Sequence, residues 1–147
     1  MTQEEKELLL KDLCARLPYG IICKYWAKDY AKDCGDFINE DEGKIESISF
    51  TNREVVIGFT CVDLDTDIIK SYLRPMSSMT EEEKQEWYKQ SHVDYDPEYK
   101  TDPTLSLDNC HLSIDWLNSH HFAHRTIDGK DMFELGLALD CTNLNIY

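Results

Sequence analysis

This chain predicts an α+β fold: a small, mainly antiparallel sheet of about four strands, an N-terminal helix packed on it, and two to three C-terminal helices. Three observations carry that reading. Leucines recur at helical spacing before Pro18. The stretch from Ile21 to Leu73 reads mostly as strands, with apolar and polar residues alternating from Ile21. Beyond Pro75 the alternation gives way to helix-capping pairs and one-sided apolar stripes.

In chain order, Thr2 and Glu5 make a capping-box pair, and Leu9-Leu13-Leu17 with Leu10-Cys14 forms the apolar stripe of an amphipathic helix ended by Pro18 and Gly20. In the stretch Ile21 to Trp26, Ile21, Cys23 and Tyr25 share one face and Ile22, Lys24 and Trp26 the other, which predicts a strand. Ala27 to Gly43 is charged and irregular, and reads as a loop or a strand extension with an exposed hairpin. Lys44 to Phe50 and Glu54 to Val62 read as strands joined by Thr51-Asn52-Arg53. The second is apolar on both faces and is expected at the centre of the sheet. Ile68 to Leu73 supplies a fourth strand.

Tyr72-Leu73-Arg74-Pro75-Met76-Ser77-Ser78-Met79-Thr80 is the junction between the two halves, 1–74 and 75–147, of one predicted domain. Pro75 has no N–H to extend a ladder and disfavours a helical Arg74. Thr80 and Glu83 then open a helix with Glu81 and Glu82 in its first turn, where the dipole favours negative charge. That helix, Thr80 to Gln90, carries few apolar residues beyond Trp87 and Tyr88 and is expected on the surface. His92 to Thr104 is a long acidic loop bearing Tyr95 and Tyr99. Asp108 is the expected cap of a helix with Cys110, Ile114, Leu117 and His121 on one stripe and Leu112 and Trp116 on its neighbour, ending near His120. Asp131 to Leu139 reads as a short helix closed at Gly136, with the tail adding Leu137, Leu139, Leu144 and Ile146 to the core.

Composition narrows the function classes. The net charge is −14; through Arg74 the chain holds 15 acidic against 10 basic residues, and from Pro75 onward 14 against 5. Such a surface repels nucleic acid and anionic membranes and suits a basic partner. No run is long enough to span a bilayer, and the acidic start lacks the pattern of a signal peptide, so a cytoplasmic location is expected. In that setting the six cysteines read as free thiols, and no C-x-x-C pair suggests a zinc ribbon or a redox motif.

Chemistry-bearing motifs are scarce. Asp63, Asp65 and Asp67 begin like a calcium loop, but Ile68 stands where glycine is needed and Arg74 where the bidentate glutamate belongs, so a turn is the better reading. His111, His120 and His121 are the residues from which a metal site would be built, although no H-E-x-x-H or paired cysteines accompany them. Nucleophile elbows and Gly-rich phosphate loops are missing, and no carboxylate pair stands out. No cofactor is expected, and the balance leans away from an enzyme.

Leu13-Cys14-Ala15-Arg16-Leu17-Pro18-Tyr19-Gly20, Tyr72 to Glu83, Asp115-Trp116-Leu117-Asn118 with His120-His121-Phe122, and Gly136-Leu137-Ala138-Leu139 resemble segments of a family of small uncharacterised proteins of gut anaerobic bacteria and their mobile elements and prophages. The resemblance implies no particular chemistry. Where the family continues His-His-Phe-Asp-Tyr-Arg, this chain has Phe122-Ala123-His124-Arg125, which leaves His124 outside the shared pattern. The candidate binding residues are therefore Arg74, Trp116, Asn118, His120 and His121, joined by Tyr95 and Tyr99 of the acidic loop. Their expected role is first to pack and hydrogen-bond the C-terminal helix against the junction.

Three functions are expected in descending order. The first is a non-enzymatic protein-interaction or accessory factor of a phage or mobile element, with a protein partner and no direct contact to nucleic acid or membrane. The second is a metal-binding protein or metal-dependent hydrolase using His111, His120 and His121. The third is an acidic nucleic-acid mimic that inhibits a DNA-binding host protein.

Overall fold

The structure is a computed structural model that describes residues 1–28, 38–91 and 113–147. Tyr95, Tyr99, Asp108, Cys110, His111 and Leu112 lie outside the described residues.

Helix α1 (Gln3–Arg16) starts as its residues require: Thr2 Oγ1 accepts the Glu5 N–H and the Glu5 carboxylate accepts the Thr2 N–H. It buries Leu9, Leu10 and Leu13 against the sheet. A short 3₁₀ turn (Leu17–Tyr19) follows, and Gly20 at φ +76° turns the chain into β1 (Ile22–Lys28). In β1 the expected alternation holds, with Ile21, Cys23, Tyr25 and Ala27 facing the core.

Strands β2 (Ile38–Ser49), β3 (Glu54–Ile57), β4 (Thr60–Asp63) and β5 (Ile68–Leu73) complete the antiparallel part of the sheet, and β8 (Ala138–Asp140) adds a parallel edge. The order is β4-β3-β2-β1-β5-β8. The expectation of four antiparallel strands is therefore corrected to six in a mixed sheet, for two local reasons.

First, Glu54 to Val62 is not one central strand. Gly58 adopts φ +62°, which a residue with a side chain rarely accepts, and with Phe59 it makes a two-residue hairpin between β3 and β4. Val55, Ile57 and Val62 stay buried while Phe59 is thrown into solvent. Second, Asp131 to Leu139 is a single helical turn rather than a helix. Leu137 N–H bonds to Met132 O and Gly136 N–H to Phe133 O, the Schellman pattern, with Gly136 at φ +73°. The chain leaves that turn extended and pairs Ser71, Tyr72 and Leu73 with Ala138, Leu139 and Asp140. Two residues each of β6 (Thr126–Ile127) and β7 (Lys130–Asp131) form a separate hairpin. The second half is thus not purely helical, and Leu144 is exposed rather than in the core.

The charged stretch after Ala27 is partly strand: Ile38 to Lys44 pairs with β1 throughout. Asp63, Asp65 and Asp67 shape the β4–β5 turn, where the Asp63 carboxylate accepts the Asp65 N–H, the Asp67 carboxylate accepts the Asp63 N–H, and Asp65 pairs with Lys6 at 2.9 Å.

Helices α2 (Glu81–Gln90) and α3 (Ile114–Ser119) build a second core with the junction methionines. As expected, α2 lies on the surface, with six of its ten residues exposed, and it is held there by Trp87, which is fully buried, and Tyr88, which is nearly so. Two large aromatic side chains are enough to anchor a helix that is otherwise polar. Trp87 Nε1 donates to Ser113 O at 3.0 Å, and its ring stacks on Trp116 at 6.0 Å. The cap of α3 is Ser113, whose hydroxyl accepts the Trp116 N–H. Among the described residues no helix is long and apolar enough to cross a membrane.

Candidate functional site

The junction positions the candidate residues. After β5, Pro75 stops the ladder and Arg74 turns to a new neighbour: its N–H donates to His121 O at 2.7 Å, and its carbonyl accepts the Ala123 N–H at 2.9 Å. The segment around Phe122 thus runs parallel to the end of β5. Where the β1–β5 pairing ends, beyond Cys23 and Ser71, the Tyr147 hydroxyl accepts the Ile22 N–H and donates to Tyr72 O, both at 2.9 Å. One phenol replaces the ladder bonds that neither strand can make there.

Arg74 is used by the fold. Its two terminal nitrogens donate to the two Glu83 oxygens at 2.7 Å each, and its guanidinium lies 4.2 Å from the centre of the Phe122 ring. Glu83 also accepts the Thr80 N–H, so one carboxylate caps α2 and ties it to the junction. The Arg74 guanidinium beside it holds the Glu83 carboxyl down at about 2.

His120 stacks on Trp116 at 3.9 Å and places Nδ1 2.9 Å from Trp116 O. The Trp116 Nε1 donates to Glu86. His121 sits at φ +63°, uncommon for a residue with a side chain, and its ring stacks on Tyr147 at 3.5 Å. Its Nδ1 is buried without a hydrogen-bond partner. Burial, followed by the charges of Arg16, His120 and Arg74, lowers its pKa to about 4. Asn118 is buried, and its Oδ1 contacts Nε2 of His124. Desolvation lowers the His124 pKa to about 2, so that imidazole is neutral and donates from Nε2.

Arg74, His120 and His121 come together on one open cleft of about 340 Å³, with Cys141, Thr142 and Tyr147 on its other side. Trp116 supports it from behind, through His120, whereas Asn118 and its partner His124 are buried and do not line it. Asp115 is exposed on the first turn of α3. Cys141 and His121 do not make an activated pair. Burial and Asp140 raise the thiol while burial lowers the imidazole, the reverse of a thiolate–imidazolium couple. Among the described residues no three of His, Cys, Asp or Glu converge as metal ligands. Cys14, Cys23, Cys61 and Cys141 are free thiols.

Two features escaped the sequence reading. Asp12 and Arg16 are both completely buried and paired at 2.8 Å; Arg16 also donates to Phe122 O at 2.6 Å, and Asp12 accepts from Arg125 at 3.1 Å. The signal was present, since Arg16 falls three residues after Leu13 and seven after Leu9, on the apolar stripe. The second is a groove of about 450 Å³ beneath the β3–β4 hairpin, lined by Tyr25, Asp41, Glu42, Glu46, Ile57 and Phe59 among others. Gly43 lies in it because a side chain there would come within 3.0 Å of Ile57 Cγ2. The Gly58-Phe59 turn was the signal for it.

Compared with known proteins, the chain matches no family model, no curated protein and no solved structure.

Proposed function

We propose that the protein is a non-enzymatic binding factor, an accessory factor of a phage or mobile element, that holds a basic protein segment at the β3–β4 hairpin. The observation that carries this reading is Phe59, a fully exposed aromatic side chain at the tip of a two-residue turn. An aromatic residue held clear of the surface supplies large contact area at small entropic expense when a partner covers it. Asp41, Glu42 and Glu46 line the adjoining groove against a single lysine, Lys44. That charge selects a Lys- or Arg-bearing segment and steers its approach. The absence of an activated nucleophile in the Arg74–His121 cleft favours binding over catalysis.

The test is the binding of basic peptides carrying one bulky apolar residue, measured by calorimetry. Phe59→Ser and the combined Asp41→Asn, Glu42→Gln, Glu46→Gln variant should each weaken binding about tenfold or more, that is by at least about 1.4 kcal/mol. Wild-type protein that binds no basic peptide more tightly than an acidic one of equal length would refute the reading.

A further inference from the structure

β2 outruns the strand on one of its sides. Ile38 to Lys44 pairs with β1, but β3 accompanies β2 only from Ser49 to Ile45 before the Gly58 turn sends the chain back as β4. Among the described residues, no strand pairs with the other edge of β2 between Ile38 and Lys44. The groove beneath the hairpin lies along that edge, with residues 41–44 on one side of it and Phe59 on the other.

Which backbone groups face the groove follows from the ladder. The Ile45 N–H donates to Ile21 O at 3.1 Å, so Ile45 turns its hydrogen-bonding groups toward the Ile21 side. In an antiparallel pair that direction alternates from residue to residue. Gly43, Asp41 and Asn39 therefore bond to β1, and Glu42 and Glu40 turn N–H and C=O to the open side. The Glu42 N–H agrees with this: it donates to the carboxylate of its own neighbour, Asp41, at 2.8 Å. Backbone groups left along an edge in this way are a template for a further strand.

The side chains select the occupant. Glu40, Asp41 and Glu42 follow one another and are all exposed. Charges on an edge deter a like edge, and a second copy would bring the same three carboxylates together. Glu40 is offset by Lys24 at 2.7 Å. Asp41, Glu42 and Glu46 still face the groove against Lys44 alone, so its charge remains negative. Opposite charges across a strand pair are favourable.

We propose that the basic partner segment binds as an added strand: extended, bearing Lys or Arg, and hydrogen-bonded to the backbone of Glu40 and Glu42, with an apolar residue against Phe59. Its N–H groups meet the Glu40 and Glu42 carbonyls. One of its carbonyls replaces the Asp41 carboxylate at the Glu42 N–H and frees Asp41 to pair with a basic side chain. This inference rests on the reading of the hairpin groove and adds the conformation in which the partner is held.

The test uses a short peptide that alternates lysine with valine and carries one phenylalanine, titrated into the full chain by calorimetry and followed by amide hydrogen exchange. Two further peptides carry N-methyl groups on alternate backbone nitrogens, one on the odd and one on the even positions. Only one edge of an added strand faces its neighbour, so one methylated peptide should bind about tenfold or more weakly and the other within about threefold of the parent. On binding the parent, exchange should slow at the Glu40 and Glu42 amides and stay as it was at Asp41 and Gly43, which already bond to β1. Equal binding by the two methylated peptides, or unchanged exchange at Glu40 and Glu42, would overturn strand addition and leave the basic-segment reading standing. A parent peptide that binds no more tightly than an acidic one of equal length would overturn both.

Discussion

Arg74 and Glu83 meet through two parallel hydrogen bonds of 2.7 Å, Nη1 to Oε2 and Nη2 to Oε1, and the same glutamate closes the capping box of α2. One carboxylate therefore decides both where α2 begins and how it sits on the end of β5. Replacing Arg74 with alanine should lower stability by about 1–3 kcal/mol, since it removes a half-buried bidentate pair and the contact with Phe122. Urea denaturation at pH 7 measures it, and a change below about 0.5 kcal/mol would show that the pair holds nothing.

The same pair predicts a pH dependence. Glu83 falls from 4.5 to about 2 on folding, so its contribution is present above about pH 4.5 and is lost as the pH drops through about 2. The stability difference between wild type and Glu83→Gln should therefore shrink between pH 5 and pH 2. A constant difference over that range would contradict the assignment.

His121 and His124 act in the same direction for another reason. Both are held neutral, with pKa values of about 4 and about 2 against 6.5 in the unfolded chain. Below pH 6.5 the unfolded state binds more protons than the folded one, so stability is lost as the pH falls. Neither ring should titrate between pH 7 and pH 5 when followed by nitrogen-detected NMR. A midpoint near 6.5 for either would mean that its burial is wrongly described.

Asp12 is the buried carboxylate on which Arg16 and Arg125 converge. Asp12→Ala leaves Arg16 charged and enclosed, which should cost about 3–5 kcal/mol. Chemical denaturation of that variant reads the loss directly, and retention of near wild-type stability would contradict the clamp.

Trp87→Ala should cost about 3–5 kcal/mol, a core-sized loss on a helix with a mostly charged sequence. A loss under about 1 kcal/mol would show that Trp87 does not anchor α2.

How much of this was legible in the sequence depends on the kind of signal. Both capping boxes, the β1 alternation and the stop at Pro75 are local and were readable from neighbouring residues. The Gly58 turn and the parallel return of β8 were not, because apolar residues on both sides of Gly58 imitate a continuous buried strand, and pairing with β5 is set across more than sixty residues of chain. Arg74, His120 and His121 meet at one cleft; Glu83 and Trp116, which hold the first two, are near in sequence, while Tyr147, which stacks on His121, lies more than twenty residues away. The sequence of α2 shows its charges and its surface position, and not the aromatic cluster of Trp116 and Phe122 that receives Trp87.

The most direct test compares Phe59→Ser with Arg74→Ala for two readouts, melting temperature and affinity for a basic peptide. The account predicts that Phe59→Ser melts like the wild type and loses binding about tenfold, while Arg74→Ala melts lower and, below its melting temperature, binds normally. Unchanged binding by Phe59→Ser, or loss of binding by folded Arg74→Ala, would contradict it.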